Sequence, residues 1–339
     1  MTNSVLQNYL RGGGRVIIPL ILLLALPWVL YPPLALDIVA WALFAIALDL
    51  CFGVTGLISF GHALFWGTAA YVTGNIAIAF GWPFPIAILV AAVVVAILAI
   101  PVGWLSIRRV GFYLAMVTLA LAQVGYFVAT QWTSFTGGEN GLQGIPRDFF
   151  GFNLSDGFTF YYLALPMLAC GFWLTSRVRR SPFGRVLEAV RDDPVRTQAL
   201  GYSVNRYRMS VFVISAFFSG IAGGIYAISH TFVSLGSLTT LTSGLVLVMI
   251  VLGGMRSQWG PAIGAAIIIW LQDFFATAGF ELGGAVTGLL FAIAVVALRK
   301  GIWGTLVDGI DRLKNGSKRR SAPPEPSDHE NELQLKGEK

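Results

Sequence analysis

Charge is what this sequence has least of. Only 12% of its 339 residues are Asp, Glu, Lys or Arg, where a soluble globular chain carries about 25%. Cysteine is nearly absent. Cys51 and Cys170 both fall in apolar segments, which argues against a disulfide framework. Histidine occurs only at 62, 230 and 329, and no Cys/His cluster has the spacing of metal ligands. No G-x-x-x-x-G-K-[ST] run is present, so ATP hydrolysis by a phosphate loop is not expected of this chain. No nucleophile is paired with a base in a readable motif, so no catalytic residues are assigned. The net charge of +6 sits in loops and tails, as the positive-inside rule expects, and does not suggest nucleic acid.

What is there is apolar. Hydrophobic residues make up 56% of the chain and the mean hydropathy is +0.72, the profile of a polytopic membrane protein. A membrane-spanning helix needs about 20 mostly apolar residues. Ten candidates are readable, roughly 16–31, 34–52, 63–80, 84–107, 111–131, 158–176, 209–229, 242–255, 261–279 and 284–299. The eighth is short. Arg11, Arg15, Arg108, Arg109, Arg256, Arg299 and Lys300 all fall on one side if both termini are cytoplasmic. The expected organisation is a cytoplasmic N-terminus (1–15), a transmembrane domain (16–305) and a disordered cytoplasmic tail (306–339). The tail carries Lys318-Arg319-Arg320, read as part of a solvated tail rather than as a contact to anionic lipid.

The largest polar interruption is 177–208. It holds eight arginines against Glu188, Asp192 and Asp193. Ser181 can cap a helix whose first turn takes Pro182. Phe183, Val186, Leu187 and Val190 then form one apolar stripe, with Arg185, Glu188 and Arg191 off it. Asp193 and Pro194 repeat the cap-plus-proline signal, and Gly201 is a natural stop. The spacing predicts two short helices, either resting on lipid headgroups or docking a cytoplasmic protein.

Two glycine-broken segments stand in the two halves: GVTGLISFGHALFWG (53–67) and GGMRSQWGPAIG (253–264). Gly56 to Ser59 and Gly254 to Ser257 share a spacing, as expected of weak internal repeats around a central path. Gly61 and His62 belong to the same stretch, where a structural histidine is the simpler reading. Asp49 and Asp273 lie inside predicted spans, where a carboxylate costs about 2.5–3.5 kcal/mol at the bilayer centre. They are read as buried hydrogen-bonding acids. An ion-coupled transporter would start from them, and a passive channel for a small neutral solute is the third reading. The outer loop, 132–157, opens on TGGENGLQGIP, a turn-rich run with Gly137, Gly138, Glu139 and Gly141.

SPFGRVLEAVRDDPVRTQALGYSVNRYR, TGGENGL and LGGMRSQWGP together resemble the permease subunits of branched-chain amino-acid ABC transporters. The likeness covers roughly 34–305. It implies an all-α membrane protein of about ten spans, with the ribose- and cobalamin-type importer fold in two weakly repeated halves, in a bacterial inner membrane. The implied partners are a second homologous permease, two ABC ATPases that bind ATP and Mg, a periplasmic substrate-binding protein and membrane lipid. This chain itself would bind no cofactor. Phe183, Gly184, Arg185, Val186, Leu187, Glu188, Val190, Arg191, Pro194 and Gly201 would form the ATPase-coupling loop, its stripe facing either the ATPase or the permease body. Gly56, Ser59, Gly61, His62, Gly254 and Ser257 would mark the path, and the 137–141 loop a surface near the binding-protein contact or the external mouth. The loop departs from the general importer motif, in which EAA is followed three residues later by Gly. Here Glu188-Ala189-Val190 leads to Pro194 instead, following the branched-chain subgroup. Urea, short amides and aromatic acids remain alternative substrates on the same likeness.

Overall fold

The computed structural model describes residues 24–108, 111–150, 152–154, 156–257, 259–278, 301 and 302. Within them lie ten labelled helices. These are α1 (Pro32–Asp49), α2 (His62–Phe80), α3 (Phe84–Ser106), α4 (Phe112–Gln131) and α5 (Gly157–Arg180). They continue as α6 (Pro182–Asp192), α7 (Pro194–Ala199), α8 (Val204–His230), α9 (Thr240–Gly253) and α10 (Trp259–Thr277). Seven are long and apolar enough to cross a membrane: α1, α2, α3, α4, α5, α8 and α10. α9 matches the short eighth candidate; its 14 residues rise only about 21 Å. The tenth candidate, residues 16–23 of the first, the N-terminus and the 306–339 tail lie outside the described residues.

α1 is the centre of the bundle. Its buried residues run almost unbroken from Leu34 to Asp49, because α8, α10, α5 and α9 all pack on it. A helix apolar on every side is what such a position requires. α3 and α4 lie at the edge and leave long apolar faces uncovered, as lipid-facing helices do. α8 reaches α2 closely: a Cβ on Gly223 would stand 2.2 Å from the Trp66 carbonyl oxygen. Phe44 stacks on Trp66 at 4.6 Å, and Trp41 and Tyr226 close the cluster at 5.0 and 5.2 Å from that indole.

Three spans extend beyond their apolar runs, the 158–176 candidate running on to Arg180. The 209–229 candidate is helical from Val204, because Arg206 and Arg208 are tolerated in its first turns where their stems can reach the polar zone. The 34–52 candidate ends at Asp49 and continues as a π turn, Leu50–Val54. Wide turns of this kind insert one residue and often mark functional positions.

The end away from the basic loop is tied by short ladders. β1 (Leu142–Gln143) pairs antiparallel with β4 (Phe232–Val233), and β2 (Asp148–Phe149) with β3 (Phe152–Asn153). Asp156 caps α5 by accepting from the Thr159 N–H at 3.1 Å and its hydroxyl at 2.8 Å, which holds the carboxyl below the usual carboxylate range. Arg147 donates to the Ile228 and Ser229 carbonyls at the end of α8, where a cation complements the helix dipole. Its guanidinium lies 5.4 Å from the Phe160 ring centre. Arg147→Leu is expected to cost about 1.5–3 kcal/mol, the worth of charged hydrogen bonds. Limited proteolysis checks it: cleavage between 137 and 147 should speed up several-fold, and an unchanged rate would contradict the clamp.

Candidate functional site

The basic loop folds as two helices for the reasons its sequence supplies. The Ser181 hydroxyl accepts the Gly184 N–H at 3.3 Å, and Asp193 accepts the Arg196 N–H at 2.9 Å. Pro182 and Pro194 take the first turns, and Gly201 sits at φ +89°. Gly184 has no room for a Cβ, which would stand 2.1 Å from the Arg179 carbonyl oxygen.

The loop has two faces. Leu187 and Val190 are fully buried in this chain, so the apolar stripe of α6 turns to the helical bundle. Phe183 is half-buried and stacks on Tyr207 at 5.4 Å, and Val186 is also half-buried. Arg185, Glu188 and Gly201 are exposed, and Pro194 is half-buried. The second face was not singled out in the sequence: Val195 is 77% exposed, Leu200 72% and Tyr202 42%. Their apolar character inside a charged loop was the readable signal, but they fall outside the periodic stripe of α6.

Beneath the loop lies a polar joint. Asp49, wholly buried, pairs with Arg179 at 2.7 Å. The same carboxylate accepts the backbone N–H of Arg256 at 3.3 Å. Arg191 donates to the Gly53 carbonyl at 2.6 Å, and its stem passes Gly56, which sits at φ +75°. A Cβ on Gly53 would stand 1.9 Å from the Asp49 carboxylate and 3.1 Å from the Arg256 N. Both glycine-broken segments therefore meet beside one carboxylate, which the end of α5 grips through Arg179 while α6 holds the neighbouring Gly53 carbonyl through Arg191. Gly254 turns the second segment at φ +111°. Ser257 donates to the Gly254 carbonyl at 3.1 Å and accepts the Gly260 N–H at 2.8 Å.

Ser59, Gly61 and His62 are buried a turn deeper. The two His62 ring nitrogens lie 2.8 Å from the Ser59 hydroxyl and 2.9 Å from that of Ser215. Ser215 in turn donates to the Ala47 carbonyl. Ser243 accepts the Ala63 N–H at 2.8 Å. Gly61 lies against Thr118, whose carbonyl would be 2.7 Å from a Cβ. One polar knot thus joins α1, α2, α4, α8 and α9, with His62 as its satisfied centre. At the far end Gly137, Gly138 and Gly141 take positive φ, Glu139 lies in a single 3-10 turn, and Gly141 abuts the Val233 carbonyl. Asp273, read as buried, is only half-buried and accepts from the Tyr31 hydroxyl, while Asp37 pairs with His230. No group of three His, Cys, Asp or Glu fit to hold a metal occurs among the described residues.

The chain resembles known proteins over most of its length. The high-affinity branched-chain amino acid transport system permease protein LivM of Escherichia coli K12 is 32% identical over 72% of this chain and 64% of its own. A probable branched-chain amino acid permease, also LivM, of Methanocaldococcus jannaschii is 26% identical over 53% of this chain and 54% of its own. The fructose import permease FrcC of Rhizobium meliloti is 28% identical over 35% of each chain. The chain thus spans just under two thirds of the Escherichia coli relative. No solved structure matches it. The family model described as branched-chain amino acid transport system permease component matches residues 33–295. With its seven span-length apolar helices, this multi-pass membrane chain belongs to the family of permease components of branched-chain amino acid transport systems.

Proposed function

We propose that this chain is one membrane subunit of an ATP-driven importer for branched-chain amino acids or a related small solute, in a bacterial inner membrane. It pairs there with a second, homologous permease. Two separate ATPase subunits bind ATP and Mg below, and a periplasmic binding protein delivers substrate above, near the 137–141 loop. The domain runs from about 16 to 305 in about ten spans of the ribose- and cobalamin-type fold, in two weakly repeated halves, with both termini cytoplasmic.

The single observation that carries this reading is the two-faced loop. Its inner side is riveted to the bundle by Leu187, Val190 and Arg191, while Val195, Leu200 and Tyr202 stand uncovered. Exposed apolar side chains on a charged, rigidly seated element suit a protein groove better than water. Force applied there passes through α6 and Arg191 to Gly53, beside the Asp49 carboxylate to which the second broken segment is bonded. A carboxylate already committed to Arg179 is a poor ion carrier, which favours ATP coupling over ion coupling. The relative named for branched-chain amino acids is matched over a larger share of this chain than the fructose permease is, which favours that substrate class.

The test replaces Val195 and Leu200 by aspartate, singly and together. Loss of a docking anchor weakens association by roughly 2 kcal/mol, about 30-fold. Uptake should fall at least tenfold while expression and melting temperature stay unchanged, because both side chains already face solvent. Normal uptake in the double variant would refute docking through this face.

A further inference from the structure

The last turn of α3 holds a cavity that the coupling loop and the broken segments do not use. It measures about 300 Å3 and is lined by Gly103, Trp104, Ile107, Arg108, Asn205 and Met209. Gly103 lets α3 and α8 approach here, since a Cβ would lie 2.8 Å from the Met209 sulfur. The cavity sits at the basic-loop end of the bundle, one turn into α8. Arg108 places its guanidinium 3.8 Å from the centre of the Trp104 ring. Stacking engages the face of that cation and leaves its edge donors directed outward. Among the described residues Arg108 makes no ion pair. Arg208, one turn on from Asn205, keeps a buried Nε without a hydrogen-bond partner. Arg108, the cation that lines the cavity, therefore has no protein anion assigned to it among the described residues.

Its apolar side is as informative. Trp104 is 60% exposed, and Ile100, Ile97 and Val93 continue upward from it along the uncovered face of α3. Tryptophan and arginine together at a helix end mark the headgroup level of a bilayer. A ligand that fits both parts has an anionic head and long hydrocarbon chains.

We propose that this cavity is a binding site for an anionic phospholipid. Arg108 and Asn205 donate to its phosphate, and its acyl chains lie along Trp104, Ile100, Ile97 and Val93. Basic pockets between helices on the cytoplasmic side suit such headgroups. A free phosphate would meet only part of this surface, because the remaining lining is apolar.

The experiment uses the full-length chain, with the subunits that co-purify, in nanodiscs of phosphatidylcholine with or without phosphatidylglycerol. Native mass spectrometry reads the lipid retained. The wild type should keep phosphatidylglycerol in preference to phosphatidylcholine. Arg108→Gln should weaken that retention about fivefold, the contribution of one interfacial cation, while the exposed Arg196→Gln leaves it unchanged. Brominated phosphatidylglycerol should quench a share of the wild-type tryptophan emission that Trp104→Phe removes, a reading that does not depend on the arginine variant. Equal retention of both lipids, unchanged retention in Arg108→Gln, or displacement by soluble glycerol phosphate as effective as by lipid would each overturn the proposal.

Discussion

Asp49→Leu is expected to lower the stability of the detergent-solubilised protein by about 3–5 kcal/mol, the cost of leaving one partner of a buried ion pair uncompensated. Arg179 would be that partner, with 11% of its side chain exposed against none for Asp49. The charge cannot be shed, because arginine stays protonated in proteins, and no other described carboxylate pairs with it. The pair itself is modestly satisfied: Nε and Nη1 of Arg179 are buried without a hydrogen-bond partner. The double variant Asp49→Leu/Arg179→Leu should therefore recover most of the stability, since an apolar pair of similar volume often replaces a buried ion pair at little cost. Transport should behave differently. The double variant still lacks the acceptor for the Arg256 N–H, so the two broken segments lose their common anchor. Melting temperature recovered without uptake would assign Asp49 to transmission. Uptake recovered along with stability would make the joint a stabilising device only.

The second large effect is expected at the crossing of α9 and α10. A Cβ on Gly264 would lie 1.9 Å from the Met249 carbonyl oxygen and 2.9 Å from the Gly253 N, and one on Gly253 would lie 1.8 Å from the Gly260 carbonyl oxygen. These neighbours are backbone, so no side chain can swing aside. Small residues are what allow helix backbones to approach so closely inside a membrane. Even Gly264→Ala must push the helices apart, at about 3 kcal/mol, the upper end of overpacking costs. Gly244→Ala is the control. It lies in the same α9 with nothing within 4 Å of the added carbon, so the change should be neutral or slightly stabilising through helix propensity. Thermal unfolding in detergent separates the two. Gly264→Ala should also depress uptake, because α9 leads directly into Gly254 and Arg256. Equal melting of both variants would show that the crossing is looser than its backbone distances imply.

Local signals made the loop readable. Ser181 with Pro182, Asp193 with Pro194, and Gly201 each specify a backbone state by their own chemistry, and the two helices follow from them. The spans that the described residues cover were readable to within about five residues for the simpler reason that apolar runs are long. The partners inside the membrane were not readable. Asp49 and Arg179 stand 130 residues apart, and His62 and Ser215 stand 153 apart. Periodicity carries no information about such pairs when every face of α1 is apolar. The inward turn of Leu187 and the outward turn of Val195 were also hidden. An apolar stripe says that something covers it, not whether that cover is the same chain or another. The far-end ladder escaped for a related reason: Leu142 meets Val233, and two-residue strands are too short to alternate.

The polar knot around His62 also sets a timetable. Ala63 waits for Ser243, 180 residues later in the chain. At a synthesis rate of about 5–20 residues per second, that wait lasts roughly 10–40 s. For much of it Asp49 would lack Arg179 and His62 would lack Ser215, which follow 130 and 153 residues later. Nascent α1 and α2 are therefore clients for the insertion machinery, which must shelter their polar groups until α8 and α9 arrive. A ribosome stalled before residue 204 should leave a fragment that membrane proteases remove quickly.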